Sequence, residues 1–235
     1  MRAARHSEAA TVQALYYGAR RRRMFRIGTY LALIRAMAVG ELVQVFYSHS
    51  ELVPRTQARL ARTRNTLREL ICHGLGSPQG QAALQRLRAA HAPVRAEADD
   101  FRYVLALFML EPLRWNAAHG GTPLSEAEQT LLLDFWAQVG EAMGIPEVRL
   151  SPAQWLDFQQ RYEARHWRFT PEGQRLASAC LQEVVTLSLP HGSRSLFRQL
   201  MRVSMDPALA ALLQLPVAAG PVAWALRSWL RWTTP

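Results

Sequence analysis

The chain has 235 residues, enough for one large domain or two small ones, and 49% of them are hydrophobic, so a sizeable core is within reach. The formal net charge is +10, and all 28 basic residues are arginines. They are spread along the chain with no nucleic-acid reading motif and no basic face interleaved with aromatics, so nucleic acid is not an expected partner. Cys72 and Cys180 are far apart and form no CxxC pair, so free thiols are expected rather than a disulfide or a zinc site.

Residues 1–23 read as a basic N-terminal segment ending in Arg20-Arg21-Arg22-Arg23. They contain no apolar run before a small-residue cleavage site, so no signal peptide is expected. Met24 to Tyr47 is apolar but interrupted by Arg26, Arg35 and Glu41. A bilayer span tolerates such charges poorly, so this stretch reads as a buried or interfacial helix. The arginines before it are placed to meet lipid headgroups.

The rest of the chain is punctuated by helix starts. Ser77-Pro78, Ser151-Pro152, Thr170-Pro171 and Asp206-Pro207 each set a capping side chain before a proline suited to the first helical position. Ser125 and Glu128 form a capping box that opens a run to Met143, with Gly144 as its stop. Asp99-Asp100 opens another helix, which Pro112 is expected to bend or end. No stretch alternates as a strand would. The expected fold is therefore all-α: a single multi-helix domain over residues 24–216, followed by an aromatic-basic helix over 217–235.

One stretch carries chemistry. On a helix, Arg59 and Thr63 lie one turn apart on one face, and Arg62 and Thr66 form a second such pair. A turn at His73-Gly74 leads into a second helix that ends near His91 and Pro93. A fixed cation, a hydroxyl and an imidazole converging from two helices suit a haem, with imidazole on iron and arginine near a propionate. The plainer alternative is a helix-end histidine with a local hydrogen bond, beside a solvated Arg/Thr face. Glu111 and Arg114 flank Pro112 and read either as a polar pair lining a haem pocket or, the preferred reading, as an intrahelical ion pair. His73 reads as a helix cap, His166 as a helix-end residue, and His119 and His191 as loop residues. Phe101, Leu105, Phe108, Phe135 and Trp136 read as core.

The order of several blocks resembles one family. They are Arg59-Leu60-Ala61-Arg62-Thr63, His73-Gly74, His91, Asp99-Asp100-Phe101-Arg102-Tyr103 and Glu111-Pro112-Leu113-Arg114-Trp115. Pro123-Leu124-Ser125-Glu126-Ala127-Glu128, Phe135-Trp136, Met143-Gly144-Ile145 and Tyr162-Glu163 follow. This series resembles the MpaB-type oxygenases, whose catalytic domain is shared with the rubber oxygenases (latex-clearing proteins). The resemblance implies an all-helical domain around a haem b pocket. It implies His91 as the iron ligand, and Arg59 and Thr63 as residues that retain the haem. It also implies dioxygen-dependent cleavage of carbon–carbon double bonds in a hydrophobic, isoprenoid-like small molecule. Arg62 stands where the rubber oxygenases carry a distal lysine, and is the expected catalytic position. Arginine donates hydrogen bonds and fixes charge but cannot accept a proton as a base. Glu41 is the nearest counterpart of their distal glutamate.

Two alternatives stand beside this reading: a haem-binding sensor or carrier without turnover, and a cofactor-free helical protein of membrane surfaces. The tail from Pro221 to Trp232 carries Trp224, Trp229 and Trp232 with Arg227 and Arg231. Tryptophan suits the headgroup layer and arginine favours anionic lipid, so the expected location is cytoplasmic with peripheral membrane contact. The competing account packs these tryptophans onto the protein's own core.

Overall fold

The computed structural model describes residues 12–48, 52–188 and 194–233, with side chains described outside 47–60 and 183–188. Every regular element among them is helical, and the one β-bridge joins Val39 to Trp167. Helical residues 12–17 form α1. The order continues α2 (Arg22–Ala36), α3 (Gly40–Ser48), α4 (Leu52–His73), α5 (Pro78–His91), α6 (Ala98–Ala118), α7 (Glu126–Ala142) and α8 (Pro152–His166). Then come α9 (Pro171–Ser188), α10 (Arg194–Ser204), α11 (Pro207–Leu212) and α12 (Gly220–Thr233). His191 lies outside the described residues.

The helices start where their caps dictate. Ser77 Oγ accepts from the Gly80 amide at 2.9 Å and opens α5. Ser125 and Glu128 bond reciprocally to open α7, and Ser151 and Gln154 do the same for α8. Thr170 Oγ1 accepts from Gly173 N at 3.0 Å to start α9, and Asp206 Oδ1 accepts from Ala208 N at 2.9 Å to start α11. Each satisfies a backbone donor that the first turn leaves without an intrahelical partner. At α6, the Asp100 carboxylate accepts from the Glu97 amide at 3.0 Å, so the cap lies before the Asp99-Asp100 pair.

One expectation is corrected: the apolar stretch from Met24 to Tyr47 is two helices, α2 and α3, parted by residues 37–39. Of the two outcomes open for Pro112, an end to the helix is excluded, since α6 runs on to Ala118. Proline removes one internal hydrogen bond, and packing offsets that loss. The α2–α6 pair is the centre of the bundle, and Gly28 of α2 sits directly against Pro112. A Cβ on Gly28 would fall 2.3 Å from the Pro112 Cα, so only glycine admits this approach.

Around this pair, α7 and α8 pack on α6, and α9 packs on α2 and α4. α4 and α5 form a helical hairpin, turned by Gly74 at φ 66°. α10 joins α9 to α12. The core runs continuously through Phe25, Ile34, Leu70, Tyr103, Met109, Trp155 and Leu213. Cys180 is buried and Cys72 half-buried, both as free thiols.

The crossing yields a direct test. Gly28→Ala should cost about 1–3 kcal/mol, the usual penalty for overpacking a filled core. Urea unfolding followed by circular dichroism would measure it, and an unchanged midpoint would show that α2 and α6 separate without cost.

Candidate functional site

The α4–α5 hairpin places the residues singled out in the sequence. From the turn, Thr63 lies ten residues back along α4 and Arg59 fourteen, while His91 lies thirteen residues along α5 from Pro78. At ~1.5 Å per residue, the His91 backbone stands ~20 Å from the turn, level with the Arg59–Thr63 segment. Thr63 is half-buried and Arg62 exposed, while the Arg59 side chain lies outside the described ones.

The His91 ring is half-buried at the last residue of α5. Its Nδ1 lies 2.7 Å from the Leu87 carbonyl oxygen. A carbonyl only accepts, so Nδ1 carries the hydrogen, and the neutral ring keeps its Nε2 lone pair. Phe101 of α6 meets the ring edge-on at 6.0 Å between centroids. The local hydrogen bond of the plainer alternative is thus present. It also selects the tautomer that an iron-ligating imidazole requires. Glu41 is occupied: it accepts from Arg168 Nη1 at 2.6 Å and lies 3.6 Å from His166 Nδ1. His166 stacks on Tyr162 at 4.3 Å. Among the described residues no group of three or more His, Cys, Asp or Glu side chains forms a metal site.

A second polar centre lies in the bundle core. Arg35 of α2, 4% exposed, donates from Nε and Nη2 to the two Glu163 oxygens, both at 2.7 Å, and from Nη1 to Asp206 Oδ2 at 2.9 Å. Glu111 stands 3.4 Å from the same guanidinium and accepts from Arg114, whose other nitrogen bonds Gln159 at 2.9 Å. Tyr103 and Gln159 add hydrogen bonds to Glu163, and the Trp167 ring lies 4.5 Å from the guanidinium carbon. Burial pulls the Arg35 guanidinium down, but Glu163, Glu111 and Asp206 more than offset this and hold it charged. Burial pushes the Glu111 carboxyl above the usual range, against the pull of Arg35 and Arg114. At Asp206 burial is outweighed by the bond and charge of Arg35, so its carboxyl sits below the usual range.

Glu111 and Arg114 are an intrahelical ion pair, the plainer of the two readings, and they line a cavity of about 300 Å³ to which neither α4 nor α5 contributes. His119 is not a loop residue but the buried C-cap of α6, stacked on Trp115 at 4.7 Å. Burial holds its ring below the ordinary histidine value, against the carbonyls of Trp115 and Val203. The sequence reasoning missed Arg35, Asp206 and Gln159 as a unit. The available signal was a charge inside an otherwise apolar run.

Comparison with known proteins gives two findings. The family model described as the catalytic domain of ER-bound oxygenase mpaB/B' and rubber oxygenase matches residues 16–234. The protein called ER-bound oxygenase mpaB from Penicillium roqueforti (strain FM164) is 27% identical over 168 residues, which are 64% of this chain. The matched part covers 56% of that relative's length.

The Arg35 cluster is testable by stability. Asp206→Asn should lose about 2–3 kcal/mol near neutral pH, because it leaves a buried guanidinium short of a partner. A carboxyl held low when folded stabilises above its unfolded value of about 3.9 and loses that contribution as pH falls through the folded value. The variant should therefore show a shallower loss of stability below about pH 4, read from urea midpoints across pH.

Proposed function

Because the chain belongs to the mpaB/rubber oxygenase catalytic-domain family, we propose that it is a haem-dependent oxygenase acting on a hydrophobic, unsaturated small molecule with dioxygen. The observation that carries this reading is the hairpin. It sets α5, which ends at His91, beside α4, which carries Arg59 and Thr63, and it leaves Nε2 of His91 with no protein partner among the described residues. The donor set suits a b-type haem, whose iron supplies the dioxygen chemistry when bound.

In this reading each side chain has a limited task. His91 offers Nε2 as the iron ligand while Leu87 fixes the ring's orientation through Nδ1. Thr63 and Arg59 retain the haem, the arginine as a fixed cation for a propionate. Arg62 is the catalytic position. It orients oxygen-bearing groups by donation and takes no proton, so any base must come from elsewhere. Phe101 walls the ring on one side and helps keep water from it. A sensor or carrier role uses the same ligand set without Arg62.

His91→Ala should lose the haem absorption band while keeping its helical circular dichroism. A normal band in that variant would assign the iron to another residue. Arg62→Ala should keep the band yet lower oxygen uptake with an unsaturated isoprenoid by about tenfold or more. Equal uptake would remove Arg62 from the reaction.

The tail supports a peripheral membrane location. Trp224, Trp229 and Trp232 are 72%, 45% and 89% exposed, so packing onto the protein's own core does not account for them. No helix of the described residues is long and apolar enough to cross a membrane. The basic cluster contributes less than its sequence promises, because Arg21 turns inward to Glu128 and the carbonyls of Thr122 and Pro123. Arg20 and Arg22 remain exposed. Co-sedimentation with anionic vesicles, weakened by salt and lost in a Trp224→Ala/Trp232→Ala variant, is the expected result.

A further inference from the structure

The cavity of about 300 Å³ takes its walls from α2, α6, α10, α11, α12 and the segments joining the last three. None of its lining comes from α4 or α5, so it is separate from the His91 hairpin. Its apolar wall includes Leu31, Met205, Ala210 and Val217. Its charges are unequal. Glu111 and Asp206 are already held by Arg35 and Arg114. Arg202, Arg227 and Arg231 also line it, and among the described residues none of the three has a carboxylate partner. Arg227 and Arg231 are four residues apart on one face of α12, and Arg202 approaches from α10.

Three residues of the wall also hold buried polar atoms with no hydrogen-bond partner: Trp115 Nε1, Arg202 Nε and Ser204 Oγ. Trp115 and Ser204 are 2% and 6% exposed. Buried donors left unpaired are uncommon, and their concentration in one wall indicates a site that a ligand completes. Arg227 spends one N–H on the Ala218 carbonyl at 3.3 Å, which leaves its charge unpaired. Three guanidiniums without a carboxylate select an anion, most tightly a planar or tetrahedral oxyanion that accepts several N–H bonds at once. The apolar wall then receives whatever carries that oxyanion.

We propose that this cavity binds an anionic amphiphile: a carboxylate or phosphate head on Arg202, Arg227 and Arg231, with its apolar body along Leu31, Met205 and Val217. The site stands whether or not the chain is an oxygenase. Two of its arginines, Arg227 and Arg231, lie on α12, the helix that presents Trp224 and Trp232.

Calorimetric titration of the full chain tests this, with dodecanoate and dodecyl phosphate kept below micelle-forming concentration. One molecule per chain is expected for each. Arg227→Gln/Arg231→Gln should weaken binding at least about tenfold. Both arginines are exposed, so this variant retains its fold, as circular dichroism will register. Ala118→Trp adds bulk to the cavity from an exposed lining position and should abolish binding with every arginine in place. Trp232→Ala should bind as the native chain does, which separates the cavity from general adsorption on the tail. Dodecanol binding as tightly as dodecanoate would overturn the proposal. So would inorganic phosphate matching dodecyl phosphate, or binding that survives both the arginine and the Ala118 changes.

Discussion

A single guanidinium constrains how the bundle closes. Arg35 sits on α2 in the middle of an apolar run, and burying it without partners would cost several kcal/mol. Its partners come from three other helices or their caps: Glu111 on α6, Glu163 on α8 and Asp206 at the start of α11. Asp206 also caps α11, so one carboxylate fixes that helix's start and its distance from α2. A hydrophobic contact tolerates sliding; a two-oxygen, two-nitrogen pairing such as Arg35–Glu163 does not. Packing supplies the bulk of the stability, and this cluster selects the register in which it is realised.

Much of the helical layout was legible because its signals are local. A serine, threonine or aspartate before proline acts within three residues, so the starts of α5, α8, α9 and α11 follow from sequence alone. Whether Pro112 would end its helix was not legible, because the deciding contact is remote. Gly28, 84 positions earlier, supplies the flat surface that lets a helix containing proline continue. Arg21 misled for the same reason. It reads as one of four surface cations, yet its partner Glu128 lies 107 residues away. Likewise Glu163 and Asp206 are 128 and 171 residues from Arg35. No spacing rule reaches that far, and the only trace left in the sequence is a charge where hydropathy disfavours one.

The candidate site divides along the same line. Arg59, Thr63 and His91 could be named from the order of motifs. What the sequence could not give is the level at which two antiparallel helices meet, which the turn at Gly74 sets. The His91 tautomer was equally illegible, because it depends on the Leu87 carbonyl being one turn back and within reach of Nδ1. The basic wall made by Arg202, Arg227 and Arg231 is assembled from helices whose sequences look like ordinary amphipathic surface.

These features assign different mechanical roles to different parts of the bundle. The α2–α6–α8 centre is held by a crossing that excludes a methyl group and by charges that must stay paired. The α4–α5 hairpin contains neither device, and it docks on the remainder chiefly through α4 against α9. Under the proposed function, that arrangement suits the element that would hold the haem. Its inner face could adjust to a bulky planar group without breaking the buried ion pairs of Arg35, because none of those pairs involves α4 or α5. The α2–α6–α8 centre carries the fold and the hairpin carries the imidazole. On that proposal a change to either would have a distinct signature, in global stability for the one and in ligand retention for the other.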